Sequence, residues 1–460
     1  MENYDQLLQN IADYALDEHH FSTDAYKTIT SCLMDAMGCG LLALNHAEAS
    51  NLVNQPFVLS HEGVRIPGMD ITLTPTQAAF AIGSLNRWLD YNDTWLAKEW
   101  GHPSDNFAAI LVAAFYVQAT MSQVLTAGII AYEIQGIIAL DNAFNEVGLD
   151  HVILVKLAST AACGRLLGLN KSRMLAALSQ CFVDGQALRT YRHAPNTGSR
   201  KSWAAGDACS RALTLLWYTI KGEKGYPSAL TAPKWGFQSV LFNQQKLNTS
   251  HSFSEYVVNN ILFKVSYPAE FHAQTAIEAA QKLKSEISDI SLVSKVIVKT
   301  QEAGMRIISK QGPLKNPADR DHCLEYMVAV ALLDDEVTDA SYLDERASDS
   351  VLESLRDKIV CMEDPSFTEA YFDPSRRAIP NSVQVEFNDG RKSSIVQVDY
   401  PLGHKCRRAE AIQPLLDKFI RNAKTRYNNE QVDKIVSAWK NDDIKNMDIM
   451  SFWNLWPNSF

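Results

Sequence analysis

No two cysteines in this 460-residue chain share a C-x-x-C spacing; the eight, at 32, 39, 163, 181, 209, 323, 361 and 406, are scattered. Scattered cysteines in mostly apolar helical patterns read as free thiols in a reducing compartment, so neither structural zinc nor a thiolate-ligated iron–sulfur cluster is expected. The G-x-G-x-x-G, P-loop, H-E-x-x-H and G-x-S-x-G motifs are missing too, which leaves acid–base chemistry without cofactor or metal, or simple binding. Long apolar runs are lacking: the longest uninterrupted one, Phe107 to Val117, is far shorter than the ~20 residues a spanning helix needs. No membrane span is predicted. Excess positive charge is lacking as well. The net charge is −10, with acids and bases interspersed, which argues against nucleic acid or an anionic membrane as the main partner. Met1-Glu2-Asn3-Tyr4-Asp5 carries acids and no arginine, so no secretory or mitochondrial presequence is expected and the location is read as cytoplasmic.

What the chain does have is helical spacing. Its length exceeds what one core organises, so at least two domains are expected. Over residues 1–264, apolar residues recur at helical intervals almost throughout. Leu7, Leu8, Ile11, Tyr14 and Ala15 share a face; Ser22 is read as the cap of a run through Ile29, Leu33, Met37 and Leu41. Ser122 is read as the cap of another through Leu125, Ile129 and Ile134, and Asn170 opens the next. Ala108-Ala109, Ala113-Ala114 and Ala158 to Gly164 let helices approach closely and mark the centre of an all-helical domain. Beyond 265 the pattern changes. Residues 294–300 and 383–387 alternate as strands, and the second run meets Asp389-Gly390 ahead of Ile395 to Tyr400, a hairpin signal. Residues 265–406 therefore read as an α+β domain with a helix from Thr275 to Lys284. Helical spacing resumes over 407–460, returning to the first domain. The expected class is mainly α.

One connection, residues 89–106, packs Asp90, Asp93, Glu99, Asp105, Lys98, His102, Trp95 and Trp100 between two apolar helices. Thr74-Pro75 starts the helix before it, and Ser104 is read as the cap of the helix after it. Polar loops held by rigid helices carry binding and catalytic groups. A merely solvated turn would have no use for two tryptophans, whose faces prefer burial. A second segment, 184–203, holds Arg189, Arg192, Arg200, Lys201 and His193 against one acid, Asp184. It suits a polycarboxylate, since guanidinium groups bind carboxylates through paired hydrogen bonds; the plainer reading is a basic surface loop. His151, after Gly148-Leu149-Asp150, stands at a helix start, where free N–H groups attract anions and depress a histidine's pKa, or where it serves only as a cap. Lys264, Glu270 and His272 lie at the inferred domain boundary, and Arg320 lies in the charge-dense stretch 316–323. Clefts form at such boundaries; hinges and exposed caps do too.

Taken together, Asp90-Tyr91-Asn92-Asp93-Thr94-Trp95, Trp100-Gly101-His102-Pro103-Ser104-Asp105-Asn106, Gly148-Leu149-Asp150-His151, Tyr191-Arg192-His193-Ala194-Pro195-Asn196-Thr197 and Lys201-Ser202-Trp203-Ala204-Ala205-Gly206-Asp207 are long, unusual strings. Through them the chain resembles the MmgE/PrpD family. Gly225 to Pro233 and Asn316 to Cys323 extend the likeness over nearly the whole chain. The resemblance implies a large helical domain with a smaller α+β lid, no cofactor, and a homodimer. It implies removal of water from 2-methylcitrate to give 2-methyl-cis-aconitate in propionate breakdown, with side activity on citrate or cis-aconitate. Carried over by motif, Asp90, Thr94, His102, His151, Lys201 and Lys264 line the site. Whether Glu270 or His272 faces the substrate stays open.

Dehydrating a β-hydroxy tricarboxylate takes a base for a carbon-bound proton, an acid for the leaving hydroxide, and cations for the carboxylates. The expected catalytic set is Asp90, His102, His151 and Lys201, with His102 oriented by Asp90. The expected substrate-binding set is Thr94, Arg192, His193, Lys264, His272 and Arg320. The alternatives are a related family enzyme, dehydrating citrate or decarboxylating cis-aconitate, and a non-catalytic polycarboxylate binder, which would need the cations but not Asp90 beside His102.

Overall fold

The computed structural model describes residues 3–54, 59–193, 195–373 and 375–458. The chain divides into two compact units, Met1–Leu262 with Leu416–Phe460, and Phe263–Leu415. The first is built of helices, including α1 (Gln6–Leu16), α2 (Thr23–Ala43), α3 (Pro75–Arg87), α4 (Phe107–Val117), α5 (Met121–Asp141), α6 (Val152–Leu166), α7 (Lys171–Val183) and α8 (Arg200–Ile220). A short antiparallel pair, β1 (Leu59–Arg65) and β2 (Thr72–Leu73), interrupts them.

The helix starts follow side-chain chemistry. Ser22 Oγ accepts from Ala25 N at 3.1 Å and Asn170 Oδ1 from Arg173 N at 3.0 Å, each satisfying an N–H that the helix leaves open. Ser122 does not cap α5. Thr120 does, through a reciprocal box in which Gln123 N donates to Thr120 Oγ1 (3.3 Å) and Thr120 N to Gln123 Oε1 (2.9 Å). The T-x-x-Q pattern two residues upstream wins because it satisfies two donors at once. Helix α5 bears on the expectation about spans. Its 21 residues are long and apolar enough by composition to cross a membrane; polar residues such as Glu133 and Gln135 hid it from a search for uninterrupted runs. Within this unit 83% of its apolar window is buried, the behaviour of a core helix that is apolar all round.

The crossing of α3 and α8 positions the site. A Cβ built on Gly83 would lie 2.7 Å from Gly206 Cα, and one on Gly206 would lie 2.7 Å from Ser84 Oγ. Only hydrogen fits there, so the two backbones touch. Ser202 Oγ, in the first turn of α8, then donates to the carbonyl of Trp88 at 3.0 Å, which sets Lys201 by the chain just ahead of Asp90.

The second unit carries a four-stranded sheet in the order β4–β3–β5–β6, with β3 Val293–Thr300, β4 Ile359–Glu363, β5 Asn381–Phe387 and β6 Val396–Val398. Val296, Val298, Val383 and Val385 point into a core shared with α9 (Gln274–Leu283) and α10 (Leu324–Leu333), as the alternation requires. β6 is shorter than the hairpin reading placed it. β4, parallel to β3 at the sheet edge, shows mainly Ile359 to the core, so it has no clear alternation to be read. The sequence placed the unit breaks at 264/265 and 406/407; the compact units part at 262/263 and inside α11 (Arg408–Lys424), between Leu415 and Leu416.

Replacing Gly206 by alanine forces a methyl group against the α3 backbone, a strain of about 1–3 kcal/mol. Gly206→Ala is expected to lower the thermal unfolding midpoint measurably; an unchanged midpoint contradicts the contact crossing.

Candidate active site

The polar connection is a folded hairpin rather than a solvated turn. Trp95 N donates to Gly101 O (2.8 Å), Gly101 N to Trp95 O (3.1 Å), and the buried Trp95 indole to Gly136 O (3.0 Å). Thr94 exchanges two backbone bonds with Leu262. Asp93, fully buried, accepts from Ser104 N (3.1 Å), Ser104 Oγ (2.6 Å) and Tyr132 OH (2.5 Å). Burial pushes its carboxyl up, and these donors oppose the shift. Ser104 is thus occupied by Asp93 instead of capping α4, which is preceded by the 3-10 turn Pro103–Asn106. From the carboxyl-terminal helices of the same unit, the buried Lys418 Nζ meets Asp35 Oδ1 at 2.8 Å and donates to the carbonyl of Tyr91 at 2.7 Å. The chain is clamped directly after Asp90.

Asp90 itself has φ 50, the left-handed region, which costs a non-glycine residue roughly 1–2 kcal/mol. The turn aims its carboxylate at two groups. Arg87 Nη1 lies on Oδ1, and His102 Nε2 is 3.5 Å from the same oxygen. The other ring nitrogen of His102, Nδ1, is 2.7 Å from the carbonyl of Asp93 and 3.5 Å from Thr94 Oγ1.

His151 stands beside His102, ring centroids 5.8 Å apart and planes at 60°. Its Nδ1 is 3.3 Å from Asp150 Oδ1. Asp150 is wholly buried and clamped by Arg192, whose Nε contacts Oδ2 and whose Nη2 donates to Oδ1 at 3.1 Å. Arg189 Nη1 lies 4.0 Å from Asp150, 3.7 Å from Glu99, and its guanidinium sits 5.7 Å over the Trp100 ring. Burial alone would raise Asp150, but Arg192, His151 and Arg189 hold it far below the carboxylate range. Burial, with Arg192, Arg87 and Arg189, pushes His151 down to about 3 against the pull of Asp150. Burial pushes Glu99 up to about 7, with Arg189 opposing.

Asp90, Thr94, His102 and His151 thus come together in the first unit, and Lys201 is buried in the first turn of α8, tied beside Trp88. Arg192 joins them, but its Nε and Nη2 are taken up by Asp150. His193 is exposed; the turn Arg189–Arg192 that turns Arg192 inward leaves its successor outside. In the second unit Lys264 and His272 are buried. His272 Nδ1 is 2.9 Å from Glu270 Oε1, its N–H donates to Oε2 at 2.8 Å, and Nε2 is 3.1 Å from Tyr371 OH. Glu270 and His272, competitors in the sequence reading, are therefore partners. Burial works against the charge on Glu270, but His272, His322 and Lys264 hold it below its usual range. Arg320 is directed elsewhere, to the carbonyl of Tyr342 (2.7 Å) and to Asp344 (2.6 Å).

The sequence reading gave no supporting role to Arg87, Glu99, Asp150 and Arg189 in one unit or to the Tyr371 hydroxyl in the other. All but Tyr371 lie within or next to the segments singled out, yet nothing in their order says which acid meets which base.

Comparison with known proteins adds an independent line. The MmgE/PrpD N-terminal domain matches residues 9–250 and the MmgE/PrpD C-terminal domain residues 267–442. A protein of Salmonella typhimurium named 2-methylcitrate dehydratase is 50% identical over 95% of this chain and 94% of its own. One from Cupriavidus necator with the same name is 50% identical over 94% and 93%. One from Yarrowia lipolytica, named 2-methylcitrate dehydratase, mitochondrial, is 47% identical over 99% and 90%.

With its folded pKa at about 3, His151 is expected to be neutral at pH 5, where an exposed histidine is mostly charged. Between an ordinary pKa of roughly 6.5 and that value the unfolded chain binds this proton and the folded chain does not, so His151 lowers stability as pH falls through the window and has no effect above it. Histidine-labelled NMR checks this; a His151 resonance titrating near pH 6.5 contradicts it.

Proposed function

The chain belongs to the MmgE/PrpD family, and from that membership we propose that it removes water from 2-methylcitrate to give 2-methyl-cis-aconitate, a hydro-lyase step of propionate breakdown. The observation that carries the reading is the likeness, at about half of all positions and along nearly the full length, to proteins named 2-methylcitrate dehydratase. The geometry suits the chemistry. A β-hydroxy tricarboxylate needs proton-transfer groups at two neighbouring carbons and cations around them, and the first unit buries two histidines side by side with Lys201 and Arg192 in the same unit. A pure binder would not need Asp90 held in a left-handed turn against His102.

In this reading His102 is an acid–base group oriented by Asp90, Thr94 supports it, and Lys201 binds a substrate carboxylate. Arg192 acts through Asp150. Lys264 and His272 are further carboxylate-binding groups, to be tested by their effect on KM. Arg320, engaged with Tyr342 and Asp344, shapes its own segment, and the exposed His193 has no part. The reading extends to a cytoplasmic homodimer, for which sedimentation of the purified chain is the check on assembly.

The test follows unsaturated product by ultraviolet absorbance from 2-methylcitrate, citrate and cis-aconitate in parallel. We expect 2-methylcitrate to be the best substrate and His102→Ala to lose on the order of 10²–10⁴-fold in rate. Preferred turnover of citrate or cis-aconitate moves the chain elsewhere in the family, no turnover at all makes it a binder, and a wild-type rate in His102→Ala removes the role given to that residue. Chelator-treated enzyme is expected to stay active; complete loss restored by iron contradicts this.

A further inference from the structure

The two neighbouring histidines are held by opposite kinds of partner, and from this we infer that they divide the elimination between them: His151 Nε2 takes the carbon-bound proton, and His102 Nε2 gives a proton to the departing hydroxide. The inference rests on the dehydration reading and supplies what that reading lacks, the identity of the base.

A carbonyl oxygen only accepts, so the 2.7 Å contact of His102 Nδ1 with Asp93 O places a hydrogen on Nδ1. The other nitrogen, Nε2, faces the carboxylate of Asp90 at 3.5 Å, which favours a hydrogen there as well. Nδ1 is thereby held as a donor and Nε2 is turned toward an anion, the setting of a general acid. At His151 the carboxylate lies on the other side of the ring. Asp150 Oδ1, 3.3 Å from Nδ1, draws the ring hydrogen to Nδ1 and leaves Nε2 with a lone pair. Among the described residues that buried Nε2 has no hydrogen-bond partner, although buried polar atoms are nearly always paired. A lone pair left open inside the protein, 5.8 Å from centroid to centroid beside the acid, is arranged to accept. Burial and the surrounding guanidinium groups keep that nitrogen free of a proton, and Asp150 opposes them when the imidazolium forms. Paired groups whose surroundings push their protonation apart are how one site runs acid and base chemistry together.

The step balances. His151 Nε2 bonds to the proton leaving carbon, the C–H electron pair becomes the new C=C bond, and the C–O bond breaks with its pair on oxygen. His102 Nε2 delivers its proton to that oxygen, so water leaves. His151 ends as imidazolium, its charge countered by Asp150, and His102 ends neutral beside Asp90; one proton passed back through solvent resets both. Asp150 is a positioning residue, since it sets the ring and counters its charge without touching substrate.

The test uses the full chain and an analogue of 2-methylcitrate with fluoride in place of the hydroxyl, because fluoride departs without general acid help. His102→Gln is expected to lose at least 100-fold on 2-methylcitrate while releasing fluoride within tenfold of the wild-type rate. His151→Gln is expected to lose at least 100-fold on both. Rescue of His151→Gln by fluoride, or equal loss by His102→Gln on both compounds, overturns the division of labour. A wild-type chain inactive on both compounds overturns the dehydration reading instead. Asp150→Asn supplies a readout confined to molecules that turn over: with the base weakened, the deuterium isotope effect at the abstracted position rises toward its full value. An isotope effect unchanged from wild type makes Asp150 merely structural and removes its positioning role.

Discussion

Charge taken out of water has to find its counter-charge, and the first unit takes out a great deal of it around one short connection. Arg87 meets Asp90, Asp35 meets Lys418, and Asp150 meets Arg192, nearly all of them buried. Each pair surrenders hydration worth several kcal/mol per ion and recovers it only if the geometry is good. Apolar side chains of similar volume would hold the helices together at least as well, so these pairs are not explained by stability. What they share is that each fixes a group within a residue or two of His151 or of Asp90.

That requirement explains the strained features around it. Asp90 is tolerated in a left-handed turn because Arg87 grips its side chain and Lys418 the next carbonyl. The backbone contact between Gly83 and Gly206 brings the first turn of α8 down beside Trp88, so the cation at Lys201 arrives from a different helix without a long loop. Helix α5, apolar around its circumference, closes the far side; its Gln135 accepts from Asn106 at 2.7 Å and its Tyr132 binds Asp93. Water is kept from the pairs, which makes their attraction stronger and their misplacement more costly.

Much of this was legible in the residue order. Periodicity located α2 and α7 with their caps, because a serine or asparagine side chain acts on the N–H groups two or three residues along, a purely local event. Alternation located β3 and β5, since Val296, Val298, Val383 and Val385 must all face one core. The polar connection announced itself by two tryptophans that water would not hold. What stayed hidden depends on distance along the chain. Asp150 pairs with Arg192 forty-two positions away, and Asp35 with Lys418 three hundred and eighty-three away. Ser104 could have capped α4, but Asp93 outbid the helix with a charged acceptor. His193 looked as useful as Arg192 until a single turn put one inside and the other out.

On this reading the buried charges hold two histidines at one substrate with opposite protonation. The most direct measurement is a crystal structure of the chain with a slowly reacting tricarboxylate analogue. The hydroxyl oxygen is expected within hydrogen-bond reach of His102 Nε2, at about 2.6–3.2 Å, and the hydrogen-bearing carbon facing His151 Nε2. An analogue bound with either histidine turned away from it, or with the two positions exchanged, contradicts that division between the two histidines.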